Sequence, residues 1–258
     1  MSIFKKISFI ILLLSLVTAK GQQYGNEWID YDQKYFHFPV FNTGVHRIYF
    51  NTIDSILNLN GIDLSQINHS QFQIFGREKE VSILINDINN NNILEQNEYI
   101  EFYAKKNDGW LDELVYDSAQ NITDKYFSLF NDTINYYFTW NNGFNNLRTI
   151  IETDTDYDQY SNINYCWKKT LEKYSSTYVM GEKSSGISSP KYTAGEGWSG
   201  PERNIGGPHP TNLNSNNFFS GGPNAYGVIN LASTNSSAVN EDGNNHNTKF
   251  YINSNLIY

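Results

Sequence analysis

The sequence predicts a mostly β fold: antiparallel β-sandwich domains with one short helix, the second sandwich incomplete. Aromatic residues make up 16% of the 258 residues, with 19 Tyr and 16 Phe, and such side chains fit a pleated, half-buried surface. Short segments that alternate apolar and polar residues recur between Gly, Asn and Asp turns, whereas only one mature segment has apolar residues at helical spacing. Many short strands with frequent turns are typical of antiparallel sandwiches.

The first half of the chain is predicted to form strands separated by turns. An alternating segment ends at Pro39, and VHRIYF returns as the next strand after a turn at residues 42–44. QFQIFG and EVSILIND are two more strands, joined by a charged turn at residues 77–80. Residues 99–104 form another strand, and INYYFTW is expected to form a hairpin with LRTIIE over the Asn-Gly signal at residues 141–143.

One helix interrupts these strands. Asn51 or Thr52 is expected to cap it, and Gly61 is expected to end it, since glycine tolerates the left-handed backbone beyond a helix. Its apolar face would comprise Ile53, Ile56 and Leu57.

The amino terminus predicts a secretory signal peptide at residues 1–21. Two lysines precede an apolar run, Ile7–Val17, that is shorter than the about 20 residues of a transmembrane helix. Small residues, Ala19 and Gly21, stand where a signal peptidase requires them. The mature chain is therefore predicted to be exported, at the cell surface or outside the cell, with an uncleaved anchor as the alternative.

The mature chain is predicted to contain two domains. A first β-rich domain covers residues 22–152, an acidic linker residues 153–161, and a second β-sandwich-like domain residues 162–258. The chain ends within a strand and turn pattern, so we expect the second sandwich to be truncated. Residues 163–179 alternate, which predicts a strand that buries Cys166 as a small apolar side chain.

The composition excludes two classes of explanation. A net charge of -9 without a Lys or Arg cluster argues against nucleic acid as a partner, because phosphates reward a basic face. A single cysteine excludes an internal disulfide, so an exported chain of this composition depends on its core, or on a metal, for stability.

Six segments, in order, carry a family resemblance: YGNEWIDY, GVHRIYF, FQIFGREKEV, EYIEFYAKKNDGWLDE, SLFNDTINYYFTW and GEGW. From Tyr24 to about Trp198 the chain resembles the amino-terminal region of the PorU-like sortases of the Bacteroidetes type IX secretion system, which are gingipain-like cysteine peptidases. The resemblance implies a cell-surface or secreted protein whose β-rich domains precede a peptidase domain that holds the catalytic His and Cys. It implies that domain, and other components of the secretion system, as partners.

No catalytic residue is carried over from this resemblance. The family's His-Gly dipeptide is absent from the sequence, where the histidines stand in FHF, VHR, NHS, PHP and NHN. This chain is therefore predicted to be a non-catalytic portion of such an enzyme. The alternative is a stand-alone exported binding module, a calcium-assisted adhesin or a carbohydrate binder.

The loop DINNNNILEQNE, residues 87–98, is the candidate metal site. A twelve-residue loop supplies calcium with oxygen ligands from positions one, three, five, seven, nine and twelve. Asn92 stands where glycine is usual, and asparagine also tolerates a left-handed backbone. An ordinary solvated hairpin loop is the alternative, since the flanking segments are predicted strands. The candidate ligands are Asp87, Asn89, Asn91, the Ile93 carbonyl, Glu95 and Glu98.

Two further candidates involve aromatic residues. Trp198 lies in a region rich in Gly, Ser and Pro, where an exposed ring would stack on a sugar or dock a partner. Asp108, Asp112 and Glu113 near Trp110 have the residue types of a glycosidase acid pair. A tight turn at Gly109 explains that segment more simply, and no catalytic role is assigned to it.

Overall fold

The computed structural model describes eleven stretches of the chain, in two compact units. The predicted signal peptide, residues 1–21, lies outside the described residues. The first unit comprises the chain up to Lys105 together with Ile134–Ile151, and the second comprises Lys106–Thr133 and the chain from Glu152 onward. The described residues are 25–122, 126–143, 145–172, 174–180, 183–184, 187–188, 190–200, 209–210, 217–231, 249–252 and 254–256.

The first unit is a sandwich of two antiparallel sheets, as the sequence predicted. A four-stranded sheet has the order β1-β7-β3-β4 and a three-stranded sheet the order β2-β6-β5. Only Ser82 separates β4 from β5, so the chain passes from one sheet to the other within one residue. The elements are β1 (Phe36–Val40), β2 (Gly44–Tyr49), α1 (Phe50–Leu59), 3-10 turns at Leu64–Gln66 and His69–Gln71, β3 (Phe72–Gly76), β4 (Lys79–Val81), β5 (Ile83–Asn86), β6 (Tyr99–Ala104) and β7 (Ile134–Trp140).

The core lies between the two sheets and is formed by every second residue of their strands. Phe38 of β1 meets Phe102 of β6 edge to face, with ring centroids 5.6 Å apart. Phe72 and Ile74 of β3 are fully buried, as is Ile100 of β6. The alternation that predicted strands is therefore the alternation of inward and outward side chains that a sandwich requires.

Helix α1 closes one end of this core. It begins at Phe50, one residue before Asn51, the first of the two predicted caps. The Phe50 amide donates to the Glu98 carbonyl at 3.0 Å, and no side chain caps the helix. Ile53 and Leu57 are buried, whereas Ile56 is exposed, so the predicted apolar face is wrong in one member.

The end of α1 confirms the prediction for Gly61, which has a φ of +70°. The Gly61 amide donates to the Asn58 carbonyl and the Ile62 amide to the Leu57 carbonyl, both at 3.0 Å. These two bonds form a Schellman motif, which satisfies the last carbonyls of the helix.

The charged turn between β3 and β4 confirms a second prediction. Arg77 and Glu78 have φ values of +54° and +64°, the pattern of a two-residue type I′ hairpin. Such a backbone is uncommon for these residue types. The register of this hairpin is therefore set by the pairing of β3 with β4 and not by a preference of Arg77 and Glu78 for this turn type.

The predicted hairpin between INYYFTW and LRTIIE is wrong. The segment after β7 is not a strand and instead runs beside β5, where the Ile83 amide donates to the Leu147 carbonyl at 3.3 Å and the Thr149 amide to the Ile83 carbonyl at 2.9 Å. The Asn146 side-chain amide donates to the Ser70 carbonyl at 3.0 Å. These long-range bonds draw the chain away from β7.

The opening segment covers the outer face of the four-stranded sheet. The Trp28 ring lies 5.2 Å from the ring of Phe75 and 5.2 Å from that of Tyr137. The Thr139 hydroxyl of β7 donates to the Lys34 carbonyl at 2.8 Å. Residues that would otherwise be solvent-facing on this sheet are thus enclosed by the chain itself.

The second unit has antiparallel pairing in two-stranded pieces within its described residues. β8 pairs with β11, β9 with β10 and β12 with β13. None of the helices in the described part of the chain is long and apolar enough to cross a bilayer. The elements are 3-10 turns at Asp112–Leu114 and Ala119–Asn121, then β8 (Thr177–Val179), β9 (Lys183–Ser184), β10 (Ile187–Ser188), β11 (Gly197–Ser199), β12 (Tyr251–Ile252) and β13 (Asn255–Leu256).

The long strand predicted over residues 163–179 is wrong except at its end, where β8 lies. Cys166 is exposed rather than buried. The alternating apolar residues around it are also exposed, Ile163 at 87% and Trp167 at 60%. Alternation produces a strand only where a neighbouring strand supplies backbone partners, and within the described residues this segment pairs with none.

We expect Gly76→Ala to destabilise the first unit, because a Cβ at Gly76 would lie 2.0 Å from the Tyr136 ring. Both residues are buried, so the ring would have to move, and such overpacking costs about 1–3 kcal/mol. Denaturant unfolding measures the loss. Gly227→Ala is the matched control, since nothing lies within 4 Å of its added Cβ, and an equal loss in both variants would contradict this explanation.

Candidate functional site

The candidate metal loop, residues 87–98, connects β5 to β6. These strands are antiparallel neighbours, and Asn86 pairs with Tyr99, so the loop closes a hairpin. The expectation that strands rather than helices flank the loop is confirmed. Its two ends are fixed by the ladder, and its polar side chains decide how the intervening residues fold.

Asp87 organises the first half of the loop. Its carboxylate accepts the amides of Asn91 at 3.3 Å and Asn92 at 3.0 Å, and it lies 2.9 Å from Nε2 of His69. Asn92 has a φ of +62°, which confirms the left-handed backbone predicted there. The hydrogen bond from His69 lowers the pKa of Asp87; burial opposes this, and the Asn92 and Asn91 amides add to the lowering.

Glu98 closes the second half of the loop from inside the protein. It is 1% exposed, and its carboxylate accepts the amides of Ile88 and Glu95, each at 2.7 Å. A buried carboxylate is costly unless hydrogen bonds satisfy it, and bonds to a charged acceptor are stronger than neutral ones. Glu98 therefore replaces water for two loop amides that have no strand partner.

The remaining candidate ligands meet at Glu95. Its Oε2 accepts the side-chain amides of Asn89 at 2.7 Å and Asn91 at 3.1 Å, and Oδ1 of Asn91 accepts the Ile93 amide at 2.9 Å. The structure thus brings Asn89, Asn91 and Glu95 together, while Asp87 and Glu98 are directed at backbone amides.

This arrangement defines what calcium binding would require. Calcium takes oxygen ligands, and the two asparagines present nitrogen to Glu95, so both amide groups would have to turn. Calcium binding therefore stays a hypothesis based on the spacing of oxygen ligands in the sequence. It predicts a higher melting temperature in calcium than in chelator, and an unchanged melting temperature would dispose of it.

His69, for which the sequence predicted no role, holds the loop from outside, and Arg148 in turn holds the backbone of His69. The His69 amide donates to the Asn92 carbonyl at 2.9 Å, in addition to the contact of its ring with Asp87. Nη2 of Arg148 donates to the carbonyls of His69 at 3.0 Å and Ser70 at 2.8 Å. A lone histidine in NHS carries no sequence signal for this role, because its partners lie far away in the chain.

Trp198, the predicted binding residue, lies in β11 of the second unit and is half-buried. Its indole N–H donates to the Leu129 carbonyl at 3.0 Å, and its ring meets Tyr178 edge to face at 5.3 Å. The adjoining cavity of about 10 Å³ holds at most one water. The polar group of the ring is therefore used internally, and a role in ligand binding stays a prediction.

Asp112 stabilises the tight turn that the sequence predicts at Gly109. It is 6% exposed, and its Oδ2 accepts the Leu129 amide at 2.6 Å. Gly109 has a φ of +80°, which confirms the tight turn, and Glu113 is exposed. The carboxylate of Asp112 thus joins two segments of the second unit.

Comparison of the chain with protein-family models, with curated proteins and with solved structures finds no match. Any function assigned to the chain therefore depends on the contacts described above and on the residue patterns of its sequence.

We expect Glu98→Gln to destabilise the protein, because an amide NH₂ would face one of the two backbone N–H groups that the carboxylate now accepts. A buried donor left without an acceptor costs about 1–3 kcal/mol. Denaturant unfolding measures the difference. Glu113→Gln is the matched control at an exposed carboxylate, and similar behaviour of both variants would refute the role assigned to Glu98.

We expect the contribution of Asp87 to stability to vanish in acid. Since the pKa of its carboxylate is lowered in the folded state, the contribution is fully present above the ordinary value of about 3.9 and is lost as the pH falls through the lower, folded value. Unfolding free energies of the wild type and Asp87→Asn should therefore converge only below about pH 4. Asp32→Asn, at an exposed carboxylate, is the control, and a constant difference down to the lowest pH would exclude this linkage.

Proposed function

We propose that this chain is the non-catalytic, amino-terminal β-rich portion of an exported gingipain-like cysteine peptidase or sortase linked to type IX secretion. The observation that carries the proposal is the order of the six resembling segments along the chain. Its partners would be the downstream peptidase domain of the same polypeptide and other components of the secretion system.

The positions of the resembling segments support a structural role. GVHRIYF contains β2, FQIFGREKEV contains β3 and β4 with their turn, EYIEFYAK contains β6, and INYYFTW is β7. The opening segment encloses the outer face of the four-stranded sheet through Trp28. What the chain shares with the family is thus the framework of a sandwich rather than a set of exposed polar groups.

The buried polar groups of the first unit support the same role. Glu98 binds two backbone amides, Asp87 binds two more, and Thr139 donates to a backbone carbonyl. These side chains complete the hydrogen bonding of loops and strand ends. Polar side chains used in this way stabilise the sandwich itself, which supports the structural role proposed for it.

The coding sequence beyond Tyr258 tests the proposal directly. We expect an open frame that continues into a domain with a His-Gly dipeptide and a downstream cysteine. A stop codon directly after Tyr258 would overturn the proposal and would leave a stand-alone exported binding module as the better explanation.

Glycan binding by the protein distinguishes a portion of a peptidase from a stand-alone binding module. We expect no binding on a glycan array. Binding that Trp198→Ala abolishes, and that Trp167→Ala leaves intact, would overturn the proposal in favour of a carbohydrate-binding module. Trp167 is a suitable control because it is 60% exposed and lies in the same unit.

A further inference from the structure

The two outer faces of the sandwich differ in what covers them. The outer face of the four-stranded sheet lies under Trp28 and the opening segment, whereas the outer face of the three-stranded sheet presents large side chains to solvent. Val45 is 71% exposed, and Tyr49 and Tyr103 are each 53% exposed. We name this second surface the tyrosine face; it comprises Val45, Arg47 and Tyr49 of β2, and Tyr99, Glu101 and Tyr103 of β6.

The two charged residues of the tyrosine face pair with each other. Nε and Nη2 of Arg47 donate to Oε1 of Glu101 at 2.9 and 2.6 Å, and the guanidinium lies 3.8 Å from the centroid of the Tyr99 ring. The chain as a whole carries a net charge of -9. A patch without net charge on an acidic protein fits a protein surface that also lacks net charge, and Tyr and Arg are residues that interfaces favour.

A cavity adjoins one end of the tyrosine face. It has a volume of about 190 Å³ and is shared by Tyr49 and the start of α1. This is below the about 300 Å³ at which small-molecule pockets begin, so the cavity is suited to one side chain of a protein partner. Its lining comprises Tyr49, Phe50, Asn51, Asn97 and Glu98.

The size of the tyrosine face indicates what kind of partner fits. The face belongs to two strands with six paired positions, and at a strand spacing of about 4.8 Å and about 3.4 Å per residue it covers roughly 200 Å². A stable complex between free proteins buries about 800 Å² on each partner. A tethered partner needs less contact, since a short linker gives it an effective concentration on the order of millimolar.

We infer that the tyrosine face is the surface on which the first unit receives another domain of the same polypeptide, with one side chain of that domain in the cavity beside Tyr49. The inference rests on the proposed function and names the surface that meets the downstream domain. The occupant is an uncharged protein surface, because a charged one would have to compete with the pairing of Arg47 and Glu101.

Nitration of tyrosines by tetranitromethane tests the inference in an extended protein that carries the downstream domain of the proposed function. We expect Tyr49 and Tyr103 to react at least about tenfold more slowly there than in residues 1–258, because a stably docked domain exposes them only when it opens. Tyr31, at 78% exposure, is the internal control and should react equally in both proteins. Equal reactivity of Tyr49 and Tyr103 in the two proteins would overturn the inference.

A variant pair adds a test that does not depend on reagent access. Val45→Lys with Tyr103→Glu should leave the melting temperature of residues 1–258 nearly unchanged, since both side chains are exposed and the new opposite charges face each other across the strand pair. The variant should abolish the protection of Tyr49 in the extended protein. Tyr31→Lys is the matched control and should preserve that protection. Protection that survives the double variant would overturn the inference.

The outcomes separate this inference from the proposed function. An extended frame with unprotected tyrosines would overturn the inference alone and leave the proposed function standing. A stop codon after Tyr258 would overturn both. Glycan binding that Tyr49→Ser with Tyr103→Ser abolishes would assign the face to a carbohydrate and would also overturn the inference.

Discussion

The side chain of Tyr136 joins the two sheets of the first unit, and the rest of that sandwich depends on it. Its ring lies directly over Gly76, where no Cβ fits, and beside Phe102 at 6.2 Å. Its hydroxyl accepts the Lys105 amide at 2.9 Å and donates to the Lys105 carbonyl at 3.2 Å. One phenol of the four-stranded sheet thus replaces the strand partner that the end of β6 lacks, and buried backbone groups cannot be left unpaired without cost.

The other end of β6 is fixed by a different kind of group with the same task. Glu98 stands directly before the strand, accepts two loop amides through its side chain and accepts the first amide of α1 through its carbonyl. A carboxylate serves there because it offers two oxygens to two donors, and a neutral amide would offer only one. The central strand of the three-stranded sheet is therefore held at both ends by buried polar side chains rather than by apolar contact alone.

Sequence alone could predict those parts of the fold that local pattern determines. Alternation located β2, β3 and β6, and Gly61 and Asn92 were recognisable as left-handed positions because few residue types tolerate that backbone. The segment around Cys166 alternates equally well, but within its described residues only β8, at its carboxyl end, is a strand. A strand also needs a neighbouring strand to pair with, and alternation within the segment does not supply one. The sequence could not predict the contribution of His69 to the candidate loop for the same reason. Its partner Asp87 lies eighteen residues further along the chain.

The two faces of β6 carry different residue types, because one face lies in the core and the other faces solvent. Its inward positions carry Ile100 and Phe102, which are buried, and its outward positions carry Tyr99 and Tyr103. A phenol presents both an apolar ring and a hydroxyl that water satisfies, so an exposed tyrosine costs less than an exposed phenylalanine while retaining the same contact area. The sheet can therefore remain folded with this face in water and still offer the aromatic ring surface that the inferred docking would use.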